Sequence, residues 1–194
     1  MQCADSAPRM GGDKTNRKLE TDLAEMLEPA FPGLSVTVEL SERWQRPCAT
    51  FVWSGFAGLL PEERFHRLVQ AIPASFRTKR MGSVVWVELS PGETVDSFLK
   101  LPRSEDVAPK EATIYAGLCK AKFFDALRAS MGRSPRESCS GGFVATDAVL
   151  AEKKYSAARA TEAKLLFIRH GVYCDCQVLE TVQPALAKLY AGAA

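Results

Sequence analysis

The stretch HGVYCDCQVLE, from His170 to Glu180, sets Cys174 and Cys176 on either side of an aspartate, with a histidine four residues before the first. Cys-x-Cys can place both sulfurs on one metal ion when the backbone turns between them, and a helix N-terminus just after Cys176 favours the thiolate form. Two other readings stay open: a redox or reactive thiol site, and two small residues packed at a helix turn. A disulfide inside Cys-x-Cys is strained. No Cys-x-x-Cys, the better redox motif, occurs in the chain.

Six cysteines are present (Cys3, Cys48, Cys119, Cys139, Cys174 and Cys176), scattered rather than arranged as a disulfide framework. The first residues, MQCADSAPRMGGDKTNRK, hold no apolar signal-like core. Reduced thiols and a cytoplasmic location are the expectation. With only His66 and His170 available, a Ser-His-Asp or Cys-His arrangement must use one of them, and neither sits in a nucleophile-elbow context. No glycine-rich phosphate or dinucleotide motif is present. The chain is expected not to be an enzyme, the competing class being thiol chemistry on Cys174 or Cys176.

The 194 residues are 46% hydrophobic and 25% charged, an ordinary balance for a globular protein. A net charge of +2 argues against nucleic acid as a partner, and no run approaches the ~20 apolar residues of a membrane span. What remains is an interaction or regulatory protein whose protein partner the sequence does not specify.

The elements that must carry these residues follow from periodicity. Residues 1–14 read as a disordered arm. Leu19, Leu23, Met26 and Leu27 mark a helix from Thr15, stopped at Pro29. LSVTVEL (34–40) and CATFVWSGF (48–56) read as a strand hairpin, and VVWVEL (84–89) as a third strand. Between them Pro61 opens a helix whose buried stripe is expected at Phe65, Leu68, Val69 and Ile72. PRSEDVAPKE (102–111) reads as a linker. Beyond it come one helix over EATIYAGLCKAKFFDALRASMG, a Ser/Gly-rich break at 133–142, two helical stretches ending at Gly171, and a last helix interrupted by Pro184. The expected fold is α+β: a three-stranded sheet packed on helices over 15–101, then a mainly helical module over 112–194.

In the first half, Ser54, Phe56, Gly58, Leu59, Arg64, His66, Leu68 and Val69 resemble the signature of the BolA family, over about Leu19 to Leu89. Phe65 is an extra residue between Arg64 and His66. The resemblance implies a KH-type sheet with helices on one face. It also implies an iron–sulfur cluster shared with a monothiol glutaredoxin, with His66 and Cys48 as ligands. The basic run RTKR (77–80) reads as a solvated link.

In the second half, Gly171, Tyr173, Cys174, Asp175, Cys176, Val178 and Leu179, with Cys139, Thr146 and Leu150 upstream, resemble a bacterial family of unknown function with a Tyr-Cys-Asp-Cys signature. That resemblance covers about Cys139 to Val182 and implies a Cys₃His zinc site using Cys139, Cys174 and Cys176. The family's histidine position is Gly141 here. His170, beside the signature, is the expected substitute, and Asp175 a second candidate.

Overall fold

A computed structural model describes residues 12–132 and 134–191. The chain divides into two compact units, Met1–Leu101 and Pro102–Ala194. The architecture is α+β, with a three-stranded sheet in the first unit and a helical second unit.

Leucines four residues apart line one side of a helix, and Leu19, Leu23 and Leu27 are buried along α1 (Gly12–Leu27). The helix starts at Gly12 rather than Thr15. Residues 1–11 of the expected arm, Cys3 among them, lie outside the described residues. β1 (Ser35–Ser41) and β2 (Arg46–Val52) pair antiparallel, with Val36 opposite Phe51 and Val38 opposite Ala49. The second strand stops at Val52, and Ser54–Phe56 turns into a single 3₁₀ turn.

α2 (Pro61–Ala71) follows, with Glu63 reaching back to the backbone N–H of Leu60 at 2.9 Å. The short α3 (Ala74–Phe76) runs into a π turn over Arg77–Met81. β3 (Val85–Leu89) then joins parallel to β2, giving the sheet order β1-β2-β3, and α4 (Val95–Phe98) closes the unit.

Side-chain alternation divides the sheet into two faces. Val36, Val38, Ala49 and Phe51 pack with Leu23 and Leu27 of α1 and with Leu68 and Ile72 of α2. Cys48, Val87 and Leu89 face the other way, against Phe98 of α4. The inner stripe of α2 differs from expectation at two places, since Val69 is only half-buried and Phe65 is turned outward. Phe65 is 46% exposed and lies edge-on to Trp86, with ring centroids 5.3 Å apart. The inward position belongs to Arg64, 2% exposed, one turn before Leu68. Its guanidinium donates to the carbonyls of Leu59 and Glu88 and to both carboxylate oxygens of Glu93. A fully satisfied guanidinium can occupy a core position that an unpaired one cannot.

The second unit begins where a linker was expected. Ser104–Lys110 is a 3₁₀ helix with Ser104 and Val107 buried, packed against α8 (below). The polar composition conceals a capping interaction: the backbone N–H of Arg103 donates to Asp106 Oδ2 at 2.8 Å, and Val107 supplies the apolar contact. α5 (Glu111–Lys120) and α6 (Phe123–Met131) form two helices rather than one, because Lys122 is left-handed at φ 53°. That reversal lets Phe123 and Phe124 both turn inward. α7 (Val144–Glu152) and α8 (Ala157–Arg169) follow. Phe167 of α8 sits at the centre of the aromatic core, with Phe123 5.8 Å and Phe143 6.2 Å away between ring centroids.

α9 (Asp175–Gln177) continues through a π turn, Val178–Val182, into α10 (Gln183–Leu189). Pro184 explains the widened turn. It has no N–H for the carbonyl four residues earlier, and its ring would clash there in a regular α-helix. No helix among the described residues is long and apolar enough to cross a membrane.

Candidate metal centre

α8 ends at Arg169, and Gly171, at φ 73°, reverses the chain; its N–H bonds the Ile168 carbonyl at 2.8 Å, and that of Val172 bonds the Phe167 carbonyl at 3.2 Å. The chain then runs extended through Cys174 and turns into α9. Asp175 is the residue that fixes the turn. Its side chain is almost fully buried, and its carboxylate accepts the N–H groups of Ala145 and Thr146, at 2.9 and 2.8 Å, in the first turn of α7. Its own N–H donates to the Gly142 carbonyl at 3.0 Å. These three bonds lash the turn before α9 to the turn before α7. Arg136 adds an exposed ion pair to Glu180 at 2.8 Å.

The result is that Cys139, just before α7, meets Cys174 and Cys176. The three sulfurs lie within 4.8 Å of one another, and those of Cys174 and Cys176 are 3.4 Å apart. All three residues are half-buried. Burial pushes each thiol upward, but Cys139 ends below its ordinary value. Backbone N–H groups of Cys176 and Gly141 and the two neighbouring thiols favour its thiolate. Burial and the charge on Cys139 then hold Cys174 above its usual value, and push Cys176 up to about 12. Cys139 is therefore the thiol of the three that ionises most readily, and a cation that takes all three sulfurs must displace the protons they hold.

Of the expected ligands, the structure brings these three cysteines together and leaves the others elsewhere. His170 is the correction nearest the site. Its Nε2 lies 2.9 Å from Glu111 Oε1, at the start of α5, and it is not part of the cysteine group. Glu111 also receives Arg169 Nε and the Tyr190 hydroxyl, each at 3.0 Å. Burial opposes its ionisation, but His170, Tyr190 and Arg169 together hold its carboxyl below the usual range. Asp175, the second candidate, spends both carboxylate oxygens on α7. Gly141 has φ 80°, a conformation that strains a side-chain-bearing residue. Its N–H, not a side chain, serves the cluster.

Cys48 and His66 do not form a site. Cys48 is buried on the α4 face of the sheet, whereas α2, which bears His66, packs on the opposite face. Burial lowers the pKa of His66 and raises that of Cys48. The other residues behind the BolA resemblance have structural duties: Phe56 fills the core, Gly58 turns at φ 75°, and Arg64 binds Glu93.

Sequence reasoning missed three groups: Asp175 as a clamp, Arg64 as a core cation, and Glu111 as the receiver of His170. Only the first had a local signal. An acid between two cysteines has carboxylate oxygens free for backbone N–H groups once the sulfurs point elsewhere. No family model, curated protein or solved structure matches this chain.

Proposed function

We infer that this is a non-enzymatic, cytoplasmic interaction or regulatory protein whose second unit binds one thiophilic metal ion, zinc in the first instance, through Cys139, Cys174 and Cys176. One observation carries the reading: cysteines from two separate turns converge to within 4.8 Å, held there by the buried Asp175 clamp. Three thiolates suit zinc, and an ion at this point cross-links the turn before α7 to the turn before α9. The Tyr-Cys-Asp-Cys resemblance supports the same residues. The first unit, with its BolA-like features, is the natural interaction module, and its partner is a protein.

The test is elemental analysis of the full chain purified without oxygen. The expected result is one zinc per chain, lost on Cys174→Ser and kept on Cys119→Ser. A colourless chain that contains no metal and takes up no added zinc would contradict the reading.

A further inference from the structure

Around the three cysteines the sulfurs are the donors that remain. Among the described residues, no aspartate, glutamate or histidine offers a ligand atom within 4.8 Å of all three sulfurs. Asp175 is bound to the N–H groups of Ala145 and Thr146, and His170 is paired with Glu111. Among the described residues the half-buried turn thus presents three sulfurs and no fourth ligand, whereas a closed structural zinc site has four.

Coordination geometry points the same way. With metal–sulfur bonds of about 2.3 Å, a tetrahedral angle needs sulfurs ~3.8 Å apart. Cys174 and Cys176 hold theirs at 3.4 Å. At that bond length such a pair would subtend roughly 95° at a shared ion, an angle a three-coordinate pyramid accommodates. Soft thiolate sets select soft ions. A soft ion that is complete with three bonds, its fourth direction occupied by a lone pair, fits this donor set better than one that needs four ligands.

We propose that Cys139, Cys174 and Cys176 form a receptor for trivalent arsenic-class ions, taken up as arsenous acid with all three sulfurs bonded to one arsenic. The proposal rests on the cluster being an ion site and sets its coordination number at three. The uptake is a condensation. Three As–O bonds break and three As–S bonds form, and each thiol proton leaves with a hydroxyl group as one of three waters. Arsenic stays trivalent and no sulfur is oxidised, so no oxidant or reductant is required. Zinc at the same place keeps one position for a ligand from outside this set.

The experiment uses the full reduced chain with sodium arsenite as the probe, read by intact mass and by alkylation mapping. The expected result is one arsenic per chain with loss of three hydrogens. Cys139, Cys174 and Cys176 are then shielded from iodoacetamide, while Cys119 remains reactive. Cys139→Ser should lose arsenite but still bind phenylarsine oxide, which needs two thiols, and Cys119→Ser should behave as the parent chain. Phenylarsine oxide binding also shows that the Cys139 variant keeps its Cys174–Cys176 turn. Arsenite binding that is absent, lies at other cysteines or survives unchanged in Cys139→Ser overturns the proposal. Zinc retained where arsenite fails leaves the metal reading standing alone. Failure of both ions removes both.

Discussion

Removing the carboxylate of Asp175 is the sharpest perturbation of the second unit. The side chain is 2% exposed and accepts two backbone N–H groups at the start of α7. Hydrogen bonds to a charged group contribute about 1.5–3 kcal/mol each, and their loss also leaves one buried and one half-buried donor unsatisfied. Asp175→Ala should therefore cost about 3–5 kcal/mol. Asp175→Asn, which keeps one acceptor but turns an NH₂ toward the other donor, should cost about half as much. With a urea slope of about 2 kcal/mol per molar, the alanine variant should unfold roughly 1.5–2.5 M earlier. The assay is urea denaturation followed by far-ultraviolet circular dichroism, with tryptophan fluorescence beside it. Trp44, Trp53 and Trp86 all belong to the first unit, so fluorescence reports that unit separately. Because the clamp also sets the approach of Cys139, zinc affinity should fall about 10–100-fold, as for other groups that orient metal ligands. A stability change below about 0.5 kcal/mol, the level of an ordinary surface substitution, with zinc affinity unaltered would refute the clamp.

Three further outcomes follow from the rest of the molecule. Arg64→Ala should destabilise the first unit by about 3–5 kcal/mol, since it strips the partner from Glu93 and from two carbonyls. Arg64 holds the carboxyl of Glu93 below its ordinary 4.5, so the pair's contribution is complete above that value. It is lost as the pH falls through the lowered one, and an acid titration of the melting temperature should be flatter in the variant. Glu111→Gln should lower stability by about 2 kcal/mol at neutral pH, because the charged acceptor of Arg169, His170 and Tyr190 is gone. Its carboxyl is also depressed, so the difference from the parent should shrink on acidification below about 4.5, measured by thermal melts across that range. Leu68→Ala should cost about 2–5 kcal/mol by denaturant titration and Phe65→Ala clearly less, since Leu68 is fully buried and Phe65 is 46% exposed.

Much of the fold was legible because it rests on short-range pattern. The period-two run at Val36 and Val38 and the four-residue spacing at Leu19, Leu23 and Leu27 state which faces are buried, and the structure uses those faces. What failed did so where a polar group took a place that pattern assigns to apolar ones. Arg64 displaced Phe65 from the inner stripe because Glu93, 29 residues on, neutralises it. The segment at 102–111 read as a linker because its capping bond between Arg103 and Asp106 is invisible to composition. At the cysteines, the three sulfur ligands were visible as types, two of them by spacing and the third by resemblance. The assignment of His170 was not. Its pairing with Glu111 spans 59 residues, and nothing local to either residue announces it.

The most direct test of the central claim is X-ray absorption at the zinc edge of the zinc-loaded full chain, with Cys139→Ser beside it. A shell of three sulfurs at about 2.3 Å with one lighter ligand is the predicted result, falling to two sulfurs in the variant. A first shell of nitrogen and oxygen alone, or four sulfurs unaffected by Cys139→Ser, would contradict the account.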